Sequence, residues 1–200
     1  MTTRQQTAPA IILASSSRYR RELLQRLQLD FQCRSPDIDE NAGDGESPWD
    51  LVRRLAEAKA MAIAADCDEP ALVIGSDQVA ILDDGILGKP GTAEAAIQQL
   101  QHMRGCRIDF LTGLCVLNTN TASRRLDVVP CSVKLRQYSD AEIRRYVAAE
   151  QPFDCAGSFR SEALGITLAE SISGSDPTAL IGLPLIRLCE MLRLEGVELP

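Results

Sequence analysis

Short apolar runs separated by helix-periodic stretches run through most of the chain, the alternation expected of a mixed α/β domain. Residues 10–14 predict a buried strand. Residues 18–27 place Leu23, Leu24 and Leu27 on one helical face, behind a serine run that can cap the helix. A short strand is expected over 31–35. Ser47, Pro48 and Asp50 open a helix to about residue 65, with Leu51, Leu55, Ala58 and Ala62 as its apolar stripe. Lys59 falls on the flank of that stripe, where a lysine is expected to snorkel to solvent. The run 71–82 is apolar almost throughout and predicts a strand buried on both faces. Asp83-Asp84-Gly85 signals a hairpin whose returning strand, 86–88, would carry Lys89 back toward the level of Asp77. Thr92 caps a helix that ends at Gly105, and 108–118 and 125–138 predict two long strands. Ser139 with Glu142 is a capping box for a helix to about 149. A strand over 166–172 and a closing helix from Gly182 to near Gly196 complete the reading.

Two polar features interrupt this pattern. Asp77 sits inside the most apolar run, where an unpaired charge is costly. It meets a cation or a metal, or surfaces into a cleft, or is a turn carboxylate beside Gly75. Arg18, Arg20 and Arg21 lie in the first turn of the first helix, where the dipole disfavours cations and an anion such as phosphate would resolve the conflict. A solvated basic helix end is the plainer alternative. Asp37, Asp39 and Glu40 form an acidic loop, either merely solvated or gathering a hard cation.

Composition narrows the chemistry. The net charge of -7 argues against a general nucleic-acid binder but not against an anionic small substrate reached through a divalent cation. The N-terminus lacks the apolar region of a signal peptide, and no run approaches transmembrane length, so neither a membrane nor export is expected. Seven scattered cysteines without a CxxC fit reduced thiols in a cytoplasm. His102 is the only histidine, so histidine-paired zinc and Cys-His or Ser-His nucleophile systems have almost nothing to build on. No Pro/Gly-rich linker divides the chain. Residues 1–200 read as one domain of two lobes that share strands and helices, with 1–9 as a flexible lead.

Eight separated motifs then fall in one order: Ile11 to Ser15, Ser17-x-x-Arg20-x-Glu22-Leu23-Leu24, Asp39-Glu40, Ala58-Lys59-Ala60, Gly75-x-Asp77, Gly88-Lys89-Pro90, Thr112-Gly113 and Gly182-Leu183-Pro184-Leu185. In this the chain resembles the Maf family of cytoplasmic nucleoside-triphosphate pyrophosphatases, over about Ile11 to Leu194. The resemblance implies an ITPase-like (Maf/Ham1) α/β fold, an elongated mixed sheet flanked by helices, with two lobes and a central cleft. It implies Arg20, Lys59 and Lys89 as phosphate-binding cations, and Glu40 and Asp77 as acidic positions that hold a divalent cation, Mg2+ or Mn2+. Asp77 would activate the water. Ser15, Arg20, Tyr19, Gln78 and Glu162 would bind substrate, and the family suggests a homodimer.

Gly75-Ser76-Asp77-Gln78, the aromatic Tyr19 before Arg20, and Ser161-Glu162 look closest to the subgroup that acts on 7-methyl-GTP. That subgroup typically carries Trp where this chain has Tyr19. Methylation at N7 makes guanine a cation, which an aromatic face favours by about 0.5–2 kcal/mol. Glu162 could accept from the N1 and N2 edge with a charge that suits a cationic base. Hydrolysis of dTTP, UTP or other modified nucleotides is an alternative. A non-catalytic nucleotide-binding regulator of cell division is a third reading, of a different class.

Overall fold

The structure, a computed structural model, describes residues 9–200. The lead expected to be flexible lies, apart from Pro9, outside the described residues. β1 (Ala10–Ala14) leads through Ser15 to α1 (Arg18–Gln25), whose cap Ser17 accepts the Arg20 N–H. β2 (Phe31–Arg34), α2 (Pro48–Ala64), β3 (Ala71–Leu82), β4 (Gly85–Leu87) and α3 (Ala93–Met103) follow. β5 (Arg107–Asn118), β6 (Arg124–Leu135), α4 (Asp140–Glu150), β7 (Ala169–Gly174) and α5 (Leu185–Leu194) complete the order. Ser47, Thr92 and Ser139 cap their helices as the sequence predicts, the last in a full capping box. Among the described residues no helix is long and apolar enough to cross a membrane.

One seven-stranded sheet has the order β2-β1-β3-β5-β6-β7, with β4 on the far end of β3. β1 runs parallel to β2 and β3, and the remaining pairings are antiparallel. Helices flank it on both faces, in agreement with the fold expected.

β3 is the axis of the molecule, and its side chains pack into separate core clusters along each face. On one face Leu72 and Ile74 pack with α1 and α5, while Ala80 and Leu82 pack with α3 and α4. On the other, Ala71 and Val73 meet the C-terminal half of α2, and Val79 meets Leu51, Val52 and Leu55 of its N-terminal half. Both faces break at the same level, Gly75 to Gln78. The backbone breaks there too. β1 stops at Ala14, opposite Gly75, and β4 ends at Leu87, opposite Ala80, so residues 76–79 pair only with β5. That unpaired edge lies beside the C-terminal end of β1. From β1 the chain goes to β2 on one side and on to β3 on the other, the switch in strand order where α/β sheets bind ligands.

Three expectations need correction. The strand expected over 166–172 is a 3-10 turn at Leu164–Leu168 followed by β7. Leu164 N–H is held by Glu150 Oε2 at 3.0 Å, and a Cβ on Gly165 would stand 2.4 Å from the Arg160 carbonyl oxygen, so the chain is wound tightly before it can join the sheet. β6 ends at Leu135 rather than running to Tyr138, because Arg136 N–H leaves the sheet to bond Leu168 O. On α2 the buried face runs through Leu51, Val52, Leu55, Ala56, Ala60 and Ile63 rather than Ala58 and Ala62, and Lys59 on it does not snorkel but is buried.

Candidate active site

The burial of Lys59 begins with two glycines. A Cβ on Gly75 would lie 2.1 Å from Ala56 O, and one on Gly113 would lie 2.1 Å from Val52 O. Only glycine at both positions, Gly113 paired with Asp77 and Gly75 two residues along β3, lets α2 lie directly on the sheet. One turn beyond Ala56, Lys59 then reaches Asp77, and its Nζ stands 2.7 Å from Asp77 Oδ1 and 2.7 Å from Glu40 Oε1. Lys59 is 5 % exposed and Asp77 7 %, so the charge inside the apolar run is paired. The acidic loop delivers Glu40 from the solvent side. Burial opposes its ionisation, but the Lys59 hydrogen bond and the charges of Lys59, Lys89 and Arg20 outweigh burial and hold it below the usual carboxylate range.

Arg20 closes the other side. Its Nε donates to Gly182 O at 2.8 Å. Burial lowers its pKa, opposed by the charges of Asp77 and Glu40. The same carbonyl accepts Ser76 Oγ at 2.9 Å, and Ala179 O accepts both Gln78 Nε2 (2.7 Å) and Thr112 Oγ1 (2.9 Å). The 3-10 turn Ala179–Ile181 with Gly182 is thus a carbonyl hub for three elements. Asp176 fixes it. This 2 % exposed carboxylate accepts from Thr178 N–H and Oγ1 on one oxygen, and from the Ile186 and Arg187 N–H groups in the first turn of α5 on the other. Sequence reading missed Asp176, although Asp176-Pro177-Thr178 carries an Asx-turn signal. Gln78 faces this hub, across the strand from Asp77. Ser15 Oγ receives the Ser17 N–H at 3.1 Å and shapes the turn into α1.

Lys89 is exposed on the segment after β4, close enough for its charge to act on Glu40. Arg20, Glu40, Lys59, Asp77 and Lys89, drawn from five separate segments, therefore meet at the open edge.

Tyr19 and Glu162 form a second group. The Tyr19 hydroxyl donates to Asp154 Oδ1 at 3.0 Å and touches Cys155 Sγ at 3.6 Å, so α1 is tied to the loop after α4. Burial pushes the Cys155 thiol up to about 11, leaving it protonated and inert. The Arg18 guanidinium lies 4.7 Å and that of Arg160 5.2 Å from the Tyr19 ring centre. Arg160 also donates to Glu162 Oε1 at 3.1 Å. Glu162 borders an open cavity of about 390 Å³ with Ser161, Ile172, Pro177, Leu180 and Ile181.

Among the described residues no group of three or more His, Cys, Asp or Glu side chains could hold a metal ion. Glu40 and Asp77 offer a sparser donor set. Lys59 uses Oε1 of one and Oδ1 of the other, which leaves Oε2 and Oδ2 free of it. Two hard oxygens completed by water and phosphate suit Mg2+, which takes one or two carboxylates together with substrate phosphates.

Comparison with known proteins gives the chain's family. A family model described as Maf-like protein matches residues 10–195. A protein of Pseudomonas aeruginosa named 7-methyl-GTP pyrophosphatase is 58 % identical over 194 residues, 96 % of this chain and 100 % of that protein. One of the same name from Aromatoleum aromaticum is 56 % identical over 190 residues, 95 % of this chain and 97 % of the relative. Among solved structures, a HAM1 protein from Coxiella burnetii has a TM-score of 0.44 at 19 % identity, over 66 % of this chain and 75 % of that one. On the family model and the sequence relatives, the chain belongs to the Maf family.

Proposed function

We propose that this chain is a nucleoside-triphosphate pyrophosphatase that hydrolyses 7-methyl-GTP to 7-methyl-GMP and diphosphate. The observation that carries the reading is the Glu40–Lys59–Asp77 bridge at an open strand edge, flanked by Arg20 and Lys89, in a Maf chain whose relatives bear that name. Arg20, its Nε fixed on Gly182 O, turns the rest of its fork to phosphate, and exposed Lys89 adds a mobile cation. Lys59 holds Asp77 aimed through the Nζ–Oδ1 contact. The water oxygen bonds the α-phosphorus as the bond to the bridging oxygen breaks. The Asp77 carboxylate takes the proton and diphosphate leaves. A divalent cation, Mg2+ or Mn2+, held by Glu40, Asp77 and phosphate oxygens, supplies charge neutralisation and a more acidic water when bound.

The base is read by Tyr19 and Glu162, one for the cationic ring and the other for its N1 and N2 edge, and the cavity beside Glu162 is of purine-pocket size. Gln78 spends its amide N–H groups on Thr112, Ala179 and Leu180, so its oxygen is the part left to face a ligand.

A panel of 7-methyl-GTP, GTP, dTTP and UTP, scored for diphosphate release with Mg2+ or Mn2+, tests the assignment. 7-Methyl-GTP should lead, and a clear preference for dTTP or UTP would sink it. Glu162→Gln should narrow the gap between methylated and plain GTP by about tenfold, the difference between a charge-assisted and a neutral contact. Asp77→Asn should bind nucleotide yet lose turnover. A variant that keeps full turnover would remove Asp77 from the mechanism.

A further inference from the structure

Arg160 has no part in the chemistry above, yet it makes the contacts assigned there to the substrate base. Its guanidinium lies over the Tyr19 ring and its Nε bonds Glu162 Oε1, the aromatic face and the carboxylate that a cationic purine would use. Its other arm, Nη1, donates to Glu150 Oε1 at 2.5 Å. The two carboxylates are not equivalent. The Glu150 side chain is 7 % exposed and its second oxygen holds Leu164 N–H, whereas the Glu162 side chain is 21 % exposed beside the open cavity. The backbone of Arg160 is pinned by the Tyr146 hydroxyl on its N–H at 3.1 Å, and by Gly165 packed against its carbonyl. Motion is thereby left to the side chain. Arg18, the other cation on the ring, is 60 % exposed with no carboxylate nearer than 3.9 Å, so solvent replaces its contacts at little cost.

We infer that Arg160 is a resident cation that occupies the base site until nucleotide enters, pivoting on Glu150 as it yields Tyr19 and Glu162. This rests on the reading of Tyr19 and Glu162 as the base site. Its consequence is a separation of roles. An occupant that every nucleotide must displace lowers every apparent affinity by one common factor, the fraction of molecules in which it has moved aside. It cannot set the ratio between methylated and plain guanine. Glu162 sets that ratio, and Arg160 sets the KM scale on which it is read.

The test is Arg160→Met beside Arg160→Lys, each checked for a native melt. Lysine keeps a cation for buried Glu150 but cannot fork between two carboxylates, so it guards against a methionine variant that fails to fold. In Arg160→Met, KM for 7-methyl-GTP and for GTP should fall together by about three- to tenfold, the sum of one cation–π contact and one partly exposed ion pair. The kcat and the substrate ratio should stay put, and Arg160→Lys should shift both KM values in the same sense by less. A common rise in KM would make Arg160 a substrate contact, a changed ratio would make it a selector, and unchanged KM values would mean that it blocks nothing. Each of these overturns the inference. The wild-type substrate panel is read separately. Should it favour dTTP or UTP, the assignment of the base falls. The common factor is still measured on whichever nucleotides are turned over.

Discussion

Lys59 is the residue on which the site turns, because one ammonium is shared by two carboxylates of unequal burial. Removing it leaves the Asp77 carboxyl buried and without its closest partner. Lys59→Met should therefore destabilise the fold by about 3 kcal/mol or more at neutral pH, besides abolishing turnover. Part of that loss depends on pH. Glu40 is held below its ordinary value in the folded protein, so its contribution is present above the unfolded glutamate pKa, about 4.3, and is lost as pH falls through the lower folded value. The Lys59 hydrogen bond is the largest cause of that lowering. In the variant, burial would dominate and the depression would disappear. Urea unfolding of both proteins at neutral pH and below pH 4 should thus show their difference narrowing in acid. A difference independent of pH would mean that Lys59 does not hold Glu40 in solution. None of this is legible from helical periodicity, which puts Lys59 on the flank of its stripe and predicts a snorkelling side chain. The family motif marked the residue, but only the geometry says why it is buried.

At the scale of elements, that geometry depends on how closely α2 approaches the sheet. Gly75 lies inside a largely apolar run and Gly113 inside a long strand, which in sequence reads only as a bulge or a close approach. The structure shows close approach, with helix backbone at the site of each missing Cβ. Gly113→Ala should lift α2 from β5, cost about 1–3 kcal/mol and draw Lys59 away from Asp77, so turnover should fall further than the loss of stability explains. A thermal melt and kcat measured well below the melting point separate the two effects. Normal kcat in a destabilised variant would show that Lys59 tolerates the shift. Elements with strong caps and one buried face, such as α3 and α4, were legible to within a residue or two. β7 was not, because it is an exposed edge strand whose start is set by the Glu150 side chain on α4 and the Arg160 carbonyl, contacts that no period-two pattern records. The 3-10 turn ending at Gly182 was legible only as a motif. Its work is done by carbonyls, and carbonyls leave no trace in a pattern of side chains.

For the whole molecule the question is how a protein of net charge -7 takes up a polyanion. The answer is local. Arg20, Lys59 and Lys89 set three positive charges against the two negative charges of Glu40 and Asp77, so the open edge is positive by one unit within a negative envelope. A divalent cation alone meets that positive field and two carboxylates already engaged by an ammonium. A triphosphate, which brings roughly four negative charges, reverses the balance and adds phosphate oxygens as ligands. Metal and nucleotide should consequently bind as a coupled pair rather than the metal first. Titrating Mn2+ into the protein alone should show no site tighter than about 1 mM. With a nucleotide blocked at the α,β-bridge, Mn2+ affinity should rise by about 5- to 150-fold, and nucleotide affinity in the presence of Mn2+ should rise by the same factor, as linkage requires. Calorimetry in both directions measures both sides of that equality. Tight Mn2+ binding that nucleotide leaves unchanged would show that Glu40 and Asp77 form a standing metal site, and that Lys59 gives way to the ion before the substrate arrives.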